Sequence, residues 1–103
     1  MPPEPAGWVT VARLADLTER GRTLVRAADA EIALFQVDSR VFAIQNRCPH
    51  RGGPLIRGFV EGMAVRCPMH GWCYDLATGE SDRPARATVY PVRVDGDRIA
   101  VLV

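Results

Sequence analysis

The sequence predicts an all-β protein, an antiparallel barrel or sandwich built from short strands. Short runs rich in β-branched and aromatic residues recur along the chain, as is typical of strands. Clusters of glycine, aspartate, serine and proline separate these runs and predict tight turns. Almost no segment has the periodicity of an amphipathic helix, so an all-β architecture is favoured.

The first half of the chain predicts four strands, at residues 8–12, 23–26, 31–37 and 41–44. Residues 1–6 are rich in proline, and we expect a short extended or disordered tail there. Residues 14–22 are mostly polar and have Gly21 near their end, which predicts one helical turn or a loop. Residues 38–40 (Asp-Ser-Arg) predict a tight turn that joins the third and fourth strands as a hairpin.

The second half predicts three very short strands and a closing hairpin. The short strands are expected at residues 59–60, 63–66 and 72–75, followed by a turn at 76–79 and a polar loop at 80–86. Residues 88–94 and 98–103 read as two longer strands, and the Asp-Gly-Asp sequence between them predicts a hairpin turn. This last hairpin is the strongest local signal in the chain.

Length and composition restrict the class of protein. A chain of 103 residues, 48% hydrophobic and 24% charged, fits one globular domain. The formal net charge of +1 argues against a general attraction to nucleic acid or to membranes. We expect a soluble cytoplasmic protein, because no signal peptide and no run of about 20 apolar residues is visible.

Two short runs contain both histidines and two of the three cysteines. Residues 48–55 read CPHRGGPL, with one residue between Cys48 and His50. Residues 67–72 read CPMHGW, with two residues between Cys67 and His70. We call these segments the first and the second ligand run. That both histidines follow a Cys-Pro pair is hard to attribute to chance, and the runs predict a metal centre with two thiolate and two imidazole ligands.

A structural Cys₂His₂ zinc site has the same ligand types and is the alternative. Zinc sites usually follow C-x₂₋₄-C and H-x₃₋₅-H spacing. Here each run pairs a cysteine with a histidine, and residues 51–66 separate the pairs. The spacing therefore favours an iron–sulfur centre. If the protein contains zinc instead of iron, the alternative is a zinc-stabilised interaction module.

Both runs resemble the ligand motifs of the Rieske family, in which two histidines replace two cysteines at one iron of a [2Fe–2S] cluster. The resemblance implies that Cys48 and Cys67 bind the inner iron, and that His50 and His70 bind the outer iron that changes valence. It also implies a single Rieske domain with a β base, residues 7–45 and 86–103, and a small inserted cluster-binding subdomain, residues 46–85. The tip that meets redox partners would comprise Gly52, Gly53, Pro54, Leu55, Met69 and Gly71.

Departures from the high-potential members of the family predict a reduction potential near the lower end of the Rieske range. Gly53 and Met69 stand where respiratory-complex members have two cysteines that form a disulfide. Trp72 stands where those members have a serine bonded to a sulfide, so that donor is missing. Tyr74 matches the family's tyrosine that bonds a cysteine sulfur. The chain is therefore not expected to be a respiratory-complex subunit.

The resemblance implies an electron-transfer component and not an enzyme in its own right, since no nucleophile–base pair, P-loop or dinucleotide motif is present. We expect a Rieske-type ferredoxin that carries one electron at a time from a flavin-dependent NAD(P)H reductase to a terminal oxygenase. The alternative is the small subunit of an NAD(P)H-dependent nitrite reductase, bound to its large subunit. Residues 32–55 and 90–94 also resemble that family.

Other features have two interpretations. Cys73 is expected to be a small buried hydrophobe and not a ligand, and Trp72 serves either packing or partner docking. Pro84 and Ala85 match a family loop that shields the cluster, or form an ordinary surface turn.

An excess of positive charge between positions 47 and 66 either attracts an acidic partner or belongs to a solvated surface with no special role. The charged residues there are Arg47, Arg51, Arg57, Glu61 and Arg66.

Overall fold

The computed structural model describes residues 7–17, 20–50, 52–69 and 71–103. In these ranges the chain forms ten strands and two 3₁₀ helices, Leu14–Leu17 and Leu55–Arg57. No helix in the described ranges is long and apolar enough to cross a membrane. The strands are β1 (Trp8–Arg13), β2 (Arg22–Ala27), β3 (Ala30–Val37), β4 (Arg40–Gln45), β5 (Phe59–Glu61), β6 (Ala64–Arg66), β7 (Cys73–Asp75), β8 (Val89–Tyr90), β9 (Val92–Asp95) and β10 (Arg98–Leu102).

The strands form three antiparallel sheets. The two ends of the chain meet in a three-stranded sheet of order β1-β10-β9. A four-stranded sheet has the order β2-β3-β4-β8. The third sheet, β5-β6-β7, lies within residues 59–75. The predicted all-β antiparallel architecture is confirmed.

The four-stranded sheet is buried on both of its faces. Successive side chains of a strand point to opposite faces, so along β3 Ile32 and Leu34 enter one core while Ala33 and Phe35 enter another. All four side chains are 0% exposed. The run therefore lacks the polar alternation that a half-solvated antiparallel strand would have.

Two cores share this sheet. The base core combines its side chains with those of β10, and burying each aliphatic side chain contributes about 1.5–3 kcal/mol. The loop core lies on the opposite face and contains residues of both ligand runs. The base core comprises Leu17, Ala27, Ile32, Leu34, Ala43, Ile99 and Val101. The loop core comprises Ala33, Phe35, Phe42, Ile44, Cys48, Leu55, Val65, Cys67, Tyr74, Leu76 and Ala87.

The prediction of one continuous strand over residues 88–94 is wrong. The segment is divided at Pro91: β8 pairs with β4, whereas β9 pairs with β10 in the other sheet. Proline has no N–H to donate to a ladder, and it fixes φ. The carbonyl of Pro91 accepts a hydrogen bond from the Leu102 amide at 3.0 Å. The chain therefore changes sheets at this residue.

Smaller differences concern where elements begin and end. Met63 and Trp72 were predicted in strands, but β6 starts at Ala64 and β7 at Cys73. In the predicted helical turn or loop at 14–22, residues Leu14–Leu17 form a 3₁₀ helix. β2 already begins at Arg22.

Some predictions fall outside the described residues or remain predictions. The tail at residues 1–6 and two positions of the 14–22 segment, Thr18 and Glu19, lie outside the described residues. The division into a base and a cluster-binding subdomain at residues 46–85 stays a prediction. The β5-β6-β7 sheet falls within that segment.

We predict that Gly79→Ala destabilises the fold by about 2–5 kcal/mol. Gly79 has φ 79°, and a Cβ there would overlap the carbonyl oxygen of Ala87. Gly96→Ala is the matched control, because Gly96 has φ 64° but no atom within 4 Å of its Cβ position. Its cost should be limited to the left-handed backbone, about 1–2 kcal/mol. Urea unfolding of both variants measures the difference, and equal losses would contradict the predicted overlap.

Candidate metal centre

Each ligand run is closed into a tight loop by its own backbone. In the first run, the Cys48 amide donates to the Gly53 carbonyl at 2.8 Å and the Gly52 amide donates to the Cys48 carbonyl at 2.7 Å. In the second run, the Cys67 amide donates to the Trp72 carbonyl at 2.7 Å. The second loop connects β6 to β7, whereas the first follows β4. Both cysteines are therefore held by short, internally bonded loops.

The two loops meet at Gly53. A Cβ at Gly53 would lie 3.1 Å from the Cys67 Sγ and would overlap the Met69 side chain. Glycine thus allows the first run to approach the second closely. Cys48 and Cys67 are each 2% exposed and lie in the loop core. Neither of them forms a disulfide.

Tyr74 lies beneath the first thiol. Its side chain is 0% exposed, and its hydroxyl oxygen is 3.3 Å from the Cys48 Sγ. Burial, then the hydrogen bond and charge of Cys48, raise the pKa of Tyr74, while a backbone hydrogen bond of His50 lowers it. The hydroxyl therefore stays protonated at neutral pH and can donate to a thiolate. The predicted contact between this tyrosine and a cysteine sulfur is confirmed.

His50 is half-buried, and its imidazole stacks on the indole of Trp72. His70, the fourth predicted ligand, lies outside the described residues. Among the described residues no three cysteine, histidine or acidic side chains are grouped as a metal site. The structure thus brings Cys48, Cys67 and Tyr74 together in the loop core, while His50 stacks on Trp72.

Asn46 anchors the first run, and sequence reasoning did not identify this role. It is 4% exposed, and its side chain donates to the Glu31 carboxylate at 2.7 Å and accepts from the Ile56 amide at 2.8 Å. The backbone carbonyl of Asn46 also accepts a hydrogen bond from the Leu55 amide at 2.6 Å. These bonds satisfy backbone groups that no strand ladder satisfies. The only sequence signal was an asparagine next to a ligand motif.

Arg22 holds the far end of the same loop. Its guanidinium Nη1 donates to the carbonyls of Ile56 and Gly58 at 2.9 and 2.7 Å. The guanidinium carbon also lies 5.1 Å from the Phe35 ring centroid. The segment that follows the first run is therefore attached to β2 of the four-stranded sheet.

One arginine in the positively charged segment at positions 47–66 is paired with the acidic residue there. Arg66 Nη2 pairs with the Glu61 carboxylate at 2.8 Å, and this contact lowers the pKa of Glu61. Arg47 and Arg57 are exposed, while Arg51 lies outside the described residues. Attraction of an acidic partner by this surface stays a prediction.

The segment after β7 reaches the site. Pro84 is exposed, Ala85 is half-buried against the loop core, and the Arg83 guanidinium carbon lies 5.6 Å from the Trp72 ring centroid. Cys73 is half-buried, and burial raises the pKa of its thiol. Cys73 is therefore less buried than expected from the sequence.

The donors fit a thiolate-binding metal group. Two thiols in a space sheltered from water, with a protonated hydroxyl against one sulfur, suit soft metals such as iron in a sulfide cluster, or zinc. Gly53 adds no side chain beside the Cys67 sulfur, since a Cβ there would lie 3.1 Å from that atom. The residues present are therefore compatible with a bound [2Fe–2S] group.

Comparison with protein families finds one matching model, the Rieske [2Fe-2S] domain, over residues 7–101. Among characterised proteins, the chain is 32% identical over 95 residues to the ferredoxin component of naphthalene 1,2-dioxygenase/salicylate 5-hydroxylase systems from Ralstonia sp.. The match covers 89% of this chain and 91% of that protein. This similarity extends over nearly the whole length of both chains.

Solved structures with the same fold include members of two functional groups. The ferredoxin of carbazole 1,9a-dioxygenase from Nocardioides aromaticivorans IC177 has a TM-score of 0.86 and 27% identity, covering 94% of this chain and 98% of that one. A Mycobacterium tuberculosis protein assigned as an NADH-dependent nitrite reductase small subunit has a TM-score of 0.84 and 29% identity. That match covers 93% of this chain and 94% of the other.

Proposed function

Because this chain belongs to the Rieske [2Fe–2S] domain family, we propose that it is a Rieske-type ferredoxin, a one-electron carrier of an oxygenase system. The observation that carries the proposal is the meeting of two buried thiols from separate loops, with the Tyr74 hydroxyl 3.3 Å from one of them. The similarity to ferredoxin components of dioxygenase systems supports the same function.

The proposed ligands are Cys48 and Cys67 at the inner iron, and His50 and His70 at the outer iron. When bound, the [2Fe–2S] group accepts and returns one electron at a time. Two neutral imidazoles in place of two thiolates remove two negative charges from the site, which makes the uptake of an electron electrostatically easier. The Tyr74 hydroxyl favours uptake further by donating to a sulfur that becomes more negative.

The chain is proposed to transfer electrons without catalysing a reaction alone. It contains two histidines, and both are assigned to iron, so no imidazole remains for acid–base chemistry. Substrate chemistry would therefore take place on a partner protein.

The proposed partners are a terminal oxygenase that accepts the electron and a flavin-dependent NAD(P)H reductase that supplies it. The first is supported by relatives that belong to dioxygenase systems, and the second follows from the family resemblance alone. A net charge of +1 supports partners that are neither nucleic acids nor membranes. The cytoplasmic location expected from the sequence stays a prediction.

We predict that the purified protein is red-brown, holds about two irons and two sulfides per chain, and has a Rieske-type EPR signal after reduction with dithionite. Cys48→Ser, Cys67→Ser, His50→Ala and His70→Ala should each abolish that signal. Cys73→Ser is the matched control and should keep it, because the ligand set is complete without Cys73. Colourless protein with one zinc per chain, prepared with iron and sulfide supplied, would instead identify the zinc site.

We predict a reduction potential in the lower part of the Rieske range, which spans roughly −150 to +300 mV. Tyr74→Phe should lower it further, since the donor to the Cys48 sulfur is lost while the ring is kept. Tyr90→Phe is the control, because Tyr90 packs with the base core on β8. Redox titration measures all three proteins. A parent value above about +150 mV, or an unchanged Tyr74→Phe variant, would contradict this account.

The second candidate is the small subunit of an NAD(P)H-dependent nitrite reductase, which the similarity to the Mycobacterium tuberculosis protein favours. A free carrier and a fixed subunit differ in how tightly they bind their partner. We predict that the tagged protein, recovered from native extract at low and at physiological salt, carries no stoichiometric large subunit. A reductase that stays bound in a one-to-one ratio through both washes would establish the second candidate instead.

A further inference from the structure

The Trp72 indole and the His50 imidazole form a close parallel stack. Their ring centroids are 3.7 Å apart and their planes differ by 4°. His50 belongs to the first ligand run and Trp72 to the end of the second, where the Trp72 carbonyl accepts the Cys67 amide at 2.7 Å. The stack therefore ties one run to the other at the edge of the buried site.

This close parallel geometry suits an electron-poor imidazole, such as one bound to a metal. Two electron-rich rings prefer offset or edge-to-face contacts, with centroids about 4.5–7 Å apart, because their parallel faces repel. A positively polarised ring over an indole face is attracted instead. An imidazole that donates to iron is polarised in this way. The Arg83 guanidinium carbon, 5.6 Å from the Trp72 ring centroid, is a second positive group on the same indole.

We propose that Trp72 is a positioning residue for His50, which fixes the plane of the imidazole and makes the site harder to reduce. This inference rests on the proposed [2Fe–2S] function. Reduction adds one electron to the site and neither forms nor breaks a bond. The indole face stabilises the more positive, oxidised state by attracting the polarised imidazole. It also keeps water from the ring, and water would favour the more negative, reduced state.

The test compares substitutions at Trp72 with the same substitution at the other tryptophan of the chain. Trp72→Met removes the aromatic face and keeps apolar bulk, whereas Trp72→Phe keeps a smaller ring. Trp8→Met is the matched control, because Trp8 lies on β1 and also has an arginine, Arg93, 4.6 Å from its ring centroid. Redox titration and EPR of the iron-loaded proteins are the readouts, and neither requires a partner or a turnover assay.

Trp72→Met should raise the ratio of reduced to oxidised protein at a fixed ambient potential by about two- to fivefold. Its EPR features should broaden, because the His50 ring samples more orientations. Trp72→Phe should shift the ratio in the same direction by less, since phenylalanine offers a weaker π face than tryptophan. Trp8→Met should change neither readout.

A Trp72→Met protein with parental EPR and an unchanged or lowered ratio would overturn the proposal. If that variant holds no cluster, Trp72→Phe decides: a smaller shift in the expected direction supports the stack, whereas parental values would assign Trp72 a bulk role and overturn it. A parent protein without any Rieske-type EPR signal would overturn the proposed function itself, so the two failures are distinguishable.

Discussion

The central constraint on this fold is the packing of two thiols, from loops that are distant in the sequence, into one buried core. The four-stranded sheet forms the wall on which both loops are built. One of its faces closes the base core against β10, and the other supports Cys48 and Cys67 in the loop core. Because two cores fix this sheet at once, the loops above it have a rigid support.

Hydrogen bonds add to the apolar packing that supports the first ligand run and the segment after it. Asn46 accepts a hydrogen bond from the amide of Leu55 at the end of the first ligand run. Asn46 and Arg22 also bond to backbone groups of Ile56 and Gly58, just after that run. Loops held in this way keep their shape when the charge of the site changes, which suits the proposed electron carrier. In our proposals Tyr74 and Trp72 act in opposite directions on that charge: the hydroxyl favours the added electron, while the indole opposes it.

Local pattern was sufficient for most of the strands. Strands depend on β-branched and aromatic residues between turn signals, and these are properties of neighbouring residues. The run over residues 88–94 failed for the same reason: both halves look like strand, but only the packing decides that Pro91 sends them to different sheets.

The sequence by itself determined the all-β fold and the Rieske family, and it supplied the spacing of the proposed ligands. Only the tertiary structure decided which distant groups meet, such as Trp72 with His50, Arg22 with Ile56 and Gly53 with Cys67. The physical reason is that the spacing of residues along the chain gives only their covalent order. The surroundings of the site depend on how separate loops pack on one shared sheet.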